Sequence, residues 1–585
     1  MLLARIVRTA LPLLTLLSAC APTFHPFSLP PVRDTATRNE LARHAVFVNN
    51  DGEGVEPRVA RYGKTLDQPG QYEKYVSTIM DGIRSHADSG YPNVLIRIHG
   101  GLNSFRESQQ VVTEMHSAIK ADTTAKIYPL FINWESGILE SYADHLFYVR
   151  QGRRGPIGVV TSPFFLLADF GRALTRLPIV LAGQASRALA CAGTQDVPPR
   201  PDSTAPTTVM ASRQIALRNY LALNDCAIIG AFEDSVYAFD ENLAAKGPTD
   251  SAGARRVALA SRFAYHRSRG EQIQYYLASA PLDFIPTRTW VSLARSVGRH
   301  HFDPFAAVIT RKTQNRRGRF GTDFLNGLSW LPIKAIGLMA LDAIGTPAFE
   351  NMRRRTKTMF QQPYSSNPFT AEGARPPKPG AVAILFDSLQ ALQNAPRPSG
   401  RAAYEISLVG HSMGAIVANE ALRTHDSLEV KNVVYMAGAL SLREFQTGTL
   451  PYMQRHPSTE FFNLTLHPLS DIRETTLWGV VPSGSLLIWL DGYLAHPESE
   501  LDRVMGKYVN TTESSSIFKG SVRTRIHLKA FGYRDGTGCG KHGLPYKHAQ
   551  FNWLGVPYWD ARFWNPGEAC PDFLHRMKPG SALAR

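Results

Sequence analysis

The residues best suited to chemistry are Gly410-His411-Ser412-Met413-Gly414. The apolar run Tyr404-Glu405-Ile406-Ser407-Leu408-Val409 leads into them, and Ala415-Ile416-Val417-Ala418-Asn419-Glu420-Ala421-Leu422, a good helix, follows. This is G-x-S-x-G between a strand and a helix, a setting in which a sharp turn lifts a serine hydroxyl clear of a sheet. Glycine is needed on both flanks because side chains there would collide with the neighbouring strand and helix. The helix N-terminus favours negative charge beside Ser412, and a hydroxyl so placed becomes a nucleophile once a base takes its proton. Five-residue matches of this kind arise by chance in long chains; the flanking strand and helix set this one apart.

With those residues the chain resembles the α/β-hydrolase superfamily, in particular its serine esterases and lipases. The resemblance implies an oxyanion hole built from the N–H after the nucleophile and one from the loop after an early strand. Those positions are Met413 and the His99-Gly100-Gly101-Leu102 turn, with Gly101 the first choice and Leu102 the alternative. It also implies an acid on the loop after a later strand. Phe461-Phe462-Asn463-Leu464-Thr465-Leu466 reads as that strand, and Asp471 is the first carboxylate beyond it. Glu474 and Asp491 are rivals, and Asp471 could instead be a loop or helix-cap residue. Last in chain order a histidine is required, from among His527, His542 and His548. His527 falls within a strand and reads as structural. His548, in Lys547-His548-Ala549-Gln550-Phe551 ahead of an aromatic segment with Trp559, Phe563 and Trp564, resembles the family's late His-x-x-Phe context; His542 is second. The order Ser412, Asp471, His548 matches the superfamily's order of nucleophile, acid and base.

Several elements must position these groups. A strand at Val94-Leu95-Ile96-Arg97-Ile98 runs into the His99 turn, and Val111, Val112, Met115 and Ile119 mark an amphipathic helix at about 106–121. A second strand spans Ile127 to Trp134, which completes a βαβ unit. The expected class is therefore α/β, a mostly parallel sheet with helices on both faces. A helix at about 381–395 and strands at Asn432–Met436, Glu460–Leu466 and Arg525–Phe531 continue the pattern. More than three hundred residues separate His99 from Ser412, so a large insertion is expected at about 137–380, and the resemblance implies a mainly helical cap or lid. Its apolar stretches, 156–190 and 323–348, would line an acyl pocket or touch lipid; buried helices within the cap are the alternative. Residues 194–212, rich in Pro, Thr and Ser, read as a surface loop. The basic run Arg311, Lys312, Arg316, Arg317 and Arg319 reads as a solvated loop or a surface for anionic lipid headgroups.

The 585 residues include 64 Lys or Arg and 49 Asp or Glu, a net charge of +15, with 44% apolar residues. That composition excludes a collagen-like, coiled-coil or wholly disordered chain. The positive balance alone fits nucleic acid or an anionic membrane equally. The N-terminus favours the membrane. Arg5 and Arg8 precede an apolar Leu11–Leu17 segment too short to span a bilayer, and Leu17-Ser18-Ala19-Cys20 resembles the lipobox of bacterial lipoprotein precursors. A plain secretory peptide is the alternative. The lipobox implies removal of 1–19, acylation of Cys20, and, with Ala21 rather than aspartate next, an outer-membrane location. Residues 20–60 read as a tether and 61–585 as the hydrolase body. Four cysteines remain, Cys191, Cys226, Cys539 and Cys570, and proximity favours pairing 191 with 226 and 539 with 570.

No cofactor or metal is expected. Gly536-Thr537-Gly538-Cys539-Gly540 lacks the strand–helix context of a nucleotide loop, and His300-His301 has no ligand cluster around it. No pairing of basic and aromatic residues suggests nucleic acid. The expected activity is hydrolysis of lipid or acyl esters at a membrane. An acyltransferase using the same triad and an inactive envelope lipoprotein with a binding role are the alternatives.

Overall fold

Tyr128–Trp134 is buried at every one of its seven positions. Successive strand side chains face opposite sides of a sheet, so a strand buried throughout must be covered on both faces. In the computed structural model of the protein this strand lies inside an eight-stranded sheet. The structure describes residues 35–55, 66, 70–192, 320–361, 378–396, 403–466, 471, 474, 484–531 and 545–565, with short gaps inside several of these stretches.

In chain order the strands of the sheet are β1 (Ala45–Val48), β2 (Gly54–Val55), β3 (Asn93–Ile98), β4 (Tyr128–Trp134), β7 (Glu405–His411), β8 (Val430–Met436), β9 (Glu460–Leu466) and β10 (Ile526–Phe531). The short β5 (Val149–Arg150) and β6 (Arg153–Arg154) form a separate ribbon. Across the sheet the order is β10-β9-β8-β7-β3-β4-β1-β2, and every neighbouring pair is parallel except β1 with β2. The protein is thus α/β, with a mostly parallel, mixed sheet. After β3 the chain moves outward to β4; after β7 it moves the other way, to β8, β9 and β10. Where neighbouring strands diverge like this, a crevice opens beyond their carboxyl ends, and ligands of open parallel sheets bind there. The Ser412 turn ends β7 and the His99 turn ends β3.

The helices are α1 (Thr35–His44), α2 (Gln71–Asp88), α3 (Phe105–Ala121), α4 (Ile138–Phe147), α5 (Gly158–Ala192), α6 (Phe320–Thr358), α7 (Ala381–Asn394) and α8 (Gly414–Thr424), followed by shorter turns. In α2, Tyr72, Tyr75, Val76, Ile79, Met80, Ile83 and Ala87 recur at helical spacing and form its buried face. The tether expected through residue 60 is corrected here. Residues 35–55 supply α1, β1 and β2, and Ala45–Val48 lie fully buried beside β4. A chain whose four-residue apolar strand pairs inside the sheet cannot be a solvated linker. Residues 1–34, including Cys20, and 193–319, including Cys226 and the basic run, lie outside the described residues, as do His542, Cys539 and Cys570. Among the described residues no helix is long and apolar enough to cross a membrane.

The expected insertion contains three described helices, α4, α5 and α6. A buried polar cluster ties them to the sheet. Arg355, on α6, donates to the Asp144 carboxylate at 2.7 Å, to Ser141 Oγ at 2.8 Å and to the Glu135 carbonyl at 2.8 Å. Asn50, just after β1, donates to the same carboxylate at 2.6 Å. Further out, Asp342 of α6 accepts from Arg176 of α5 at 3.1 Å. The carboxyl-terminal half of α6 is not a separate layer: Leu338, Ala348, Phe349 and Met352 belong to the same apolar core as the strands. Arg355 and Asp144 have side chains only 1% and 5% exposed. Removing one partner of so buried a pair strands the other charge, which costs about 3–5 kcal/mol. Arg355→Ala is therefore expected to lower the unfolding free energy from a urea titration by that much, and an unchanged free energy would contradict this role for the pair.

Candidate active site

Ser412 has φ of 51°, in the left-handed region that a serine rarely adopts. The other two described non-glycine residues with positive φ are Leu102 at 66° and Ala437 at 46°, so all three strained residues follow the carboxyl ends of β3, β7 and β8. Strain confined to one edge of a sheet is characteristic of functional sites. The Ser412 turn is held by its own N–H, which donates to Met436 O at 2.9 Å, and by its carbonyl, which accepts from Ala439 N at 2.9 Å. The flanking glycines are needed for space. A Cβ on Gly414 would sit 2.3 Å from Ile98 O, and one on Gly410 would sit 2.7 Å from Ala415 N.

The structure brings Ser412 and His548 together. Ser412 Oγ lies 2.9 Å from His548 Nε2, and both residues are buried. Burial holds the His548 imidazole down to about 4, well below its ordinary 6.5, so it is neutral at pH 7. A neutral Nε2 facing a hydroxyl is the arrangement of a general base and its nucleophile. The main chain of His548 is gripped from two sides. Its N–H donates to Glu474 Oε2 at 2.9 Å, and its carbonyl accepts from His411 Nε2 at 3.1 Å. Burial, with His548 and Arg97 nearby, keeps His411 well below the usual histidine range and therefore neutral. Burial raises the Glu474 carboxyl, while the His548 N–H and Lys547 oppose the shift.

The His99 turn approaches from β3. A Cβ on Gly100 would lie 2.8 Å from Ser412 Cβ, and one on Gly101 would lie 2.8 Å from Met413 Sδ, so the turn rests directly on the two residues. Of the candidate donors, Leu102 N–H is already given to Ser136 O at 2.7 Å. That leaves Gly101. The Gly100 carbonyl accepts from His99 Nδ1 at 2.6 Å, from Ser136 Oγ at 3.1 Å and from Asn103 Nδ2 at 3.3 Å. A trans peptide is planar, with its N–H opposed to its C=O, so holding the Gly100 carbonyl fixes the direction of the Gly101 N–H. His99 itself is structural. Its Nε2 accepts from Trp134 N–H at 2.9 Å, so Nδ1 carries the proton, and burial holds it down to about 4.

No family model, curated protein or solved structure matches the chain.

The acid is the one member that the structure does not bring to the expected place. Asp471 is buried, and its carbonyl accepts from Ser485 N–H at 2.7 Å. His548 Nδ1, however, is buried with no hydrogen-bond partner among the described residues, so the expected Asp471–His548 bond is not formed. Glu474, three positions on, reaches the histidine's main chain instead of its ring. Asp491 is removed from the rivals: its carboxylate accepts from Val504 N–H at 2.9 Å and Asn510 Nδ2 at 2.8 Å, and it lies 3.3 Å from Lys507 Nζ. His527 is structural as expected, 2.7 Å from Glu460 and stacked on Phe462. Sequence reasoning missed Ser136 and the clamp by His411; a polar Asn133-Trp134-Glu135-Ser136 ending at a strand's carboxyl end was the available signal for the first.

If His548 is the base, it must be unprotonated to work, and its value of about 4 lies below the ordinary 6.5, so protonation would remove activity only at more acidic pH. The acid limb of kcat/KM is thus expected well below pH 6.5. A limb at or above 6.5 would show a carboxylate on Nδ1 in the free enzyme. His44 and His99 are likewise held near 4 by burial. The unfolded chain binds protons that the folded chain refuses between 6.5 and 4, so stability is lost as the pH is lowered through that window. Rates should therefore be read far below the unfolding temperature.

Proposed function

We propose that the chain is a serine hydrolase of carboxylic esters with an α/β-hydrolase fold. The observation that carries this reading is the 2.9 Å approach of Ser412 Oγ to His548 Nε2, on a left-handed turn at the point where the sheet order reverses. Ser412 Oγ attacks the ester carbonyl as His548 Nε2 takes its proton. The carbonyl oxygen, now negative, lies between the N–H groups of Met413 and Gly101; such a donor contributes roughly 3–4 kcal/mol in comparable sites. His548 returns the proton to the departing alcohol, which leaves an acyl group on Ser412. Water, activated by the same imidazole, then releases the acid. Asp471 is the carboxylate assigned to the imidazolium formed in these steps. Its burial, its place in chain order and its position one turn before Glu474 support that assignment. Helices α4, α5 and α6 fit the cap of this fold, and Leu17-Ser18-Ala19-Cys20 supports a lipid anchor at Cys20, at the bacterial outer membrane.

Hydrolysis of p-nitrophenyl butyrate tests the reading. Ser412→Ala and His548→Ala should each lower kcat by about 10⁴-fold or more, as triad members do elsewhere. His542→Ala should stay within a few-fold of the parent, and Asp471→Asn should fall far below it. Loss of turnover in His542→Ala alone would show the base to be misassigned. Full activity in Ser412→Ala would end the proposal.

A further inference from the structure

A small cavity lies against Met413, a proposed oxyanion donor, and against Leu102, the neighbour of the other donor, Gly101. Its lining includes Leu102 and Met413, Leu341, Gly345 and Met352 of α6, and Leu494. Every described lining residue is apolar, and the cavity volume is about 30 Å³. A water-sized group needs roughly 10–15 Å³ on this measure, so the space takes about two to three methyl or methylene groups. A typical pocket for a larger ligand holds several hundred Å³.

The position identifies what the cavity would hold. When an acyl carbonyl sits on Ser412 with its oxygen between Gly101 and Met413, the acyl chain must leave past the side chains of those residues or their neighbours. The lined space beside Leu102 and Met413 is apolar. We propose that this cavity is the acyl subsite and that it restricts the enzyme to short acyl chains, of two to four carbons, rather than the long chains of membrane lipids. The inference rests on the Ser412 hydrolase reading and adds its substrate class. Gly345 and Leu494 both line the cavity, and a Cβ on Gly345 would meet Leu494 Cδ2 at 2.8 Å, so a side chain at 345 would take up space on that side. One extra methylene that a hydrophobic pocket accepts or rejects changes kcat/KM by about 10–200-fold.

The test is a series of p-nitrophenyl acetate, butyrate, octanoate and palmitate on the full chain, with the Ser412→Ala rate subtracted. The wild-type protein should show its highest kcat/KM at acetate or butyrate and at least a tenfold loss by octanoate. Gly345→Val should lower the butyrate-to-acetate ratio about tenfold, and Leu494→Ala should raise the octanoate-to-butyrate ratio by a similar factor. A Ser412-dependent rate that is flat or rising with chain length overturns the short-chain subsite and leaves the hydrolase reading standing. The wild-type series decides this even where a variant fails to fold. Ser412-dependent turnover with unchanged ratios in a folded Leu494→Ala protein also overturns it. Absence of any Ser412-dependent turnover overturns the hydrolase reading itself, and the subsite with it.

Discussion

Ser412 occupies the left-handed region at φ 51°, a conformation that costs an L-residue roughly 1–2 kcal/mol. The rest of the site depends on keeping it there. The neighbouring strand ends make the alternative conformations unavailable: Met436 O takes its N–H, Ala439 N–H takes its carbonyl, and Gly414 lies so close to Ile98 O that the turn cannot relax towards β3. The conformation points the hydroxyl at His548, and it places Met413, the next residue, at the start of α8. A single backbone angle thus aligns the proposed nucleophile, base and first oxyanion donor.

The proposed second donor, the Gly101 N–H, is set by hydrogen bonds that never touch it. Three groups hold the Gly100 carbonyl, and peptide planarity transmits their effect to the Gly101 N–H. Ser136, which follows β4, makes one of those bonds and also takes Leu102 N–H. The same turn links to the buried Arg355 cluster through the Glu135 carbonyl, so α6 is fastened both to the sheet and to the loop beside the nucleophile. That shared attachment explains why residues of a long insertion line the cavity beside Leu102 and Met413. Preorganised donors of this kind need no rearrangement when charge develops, which is the main way proteins stabilise an oxyanion.

Much of this was legible in the sequence because parallel strands buried on both faces read as continuous apolar runs. Strand β9 lies where its apolar run puts it, at 460–466, β4 begins one residue later than the run from Ile127 suggests, and the helix expected at about 381–395 ends at Asn394. Residues 35–55 were misread because β1 is only four residues long and β2 only two, too short for any periodicity to register. The pair Ser412 and His548 was legible from local context on each side. The supports were not: His411 meets His548 across 137 positions, Glu474 meets it across 74 and Ser136 meets Gly100 across 36. Asp471 and Glu474 stand three positions apart, so chain order alone could not decide which carboxylate touches the histidine or by which atoms.

The central claim is that Ser412 is an activated nucleophile, and its most direct test is covalent. A fluorophosphonate probe reacts with a serine hydroxyl only when a base and an oxyanion site are in place around it. Treatment of the folded protein should add one probe mass, and peptide mapping should place it on Ser412, with no addition after unfolding or in Ser412→Ala. Folded wild-type protein that takes up no probe, or takes it up on another residue, would contradict the account.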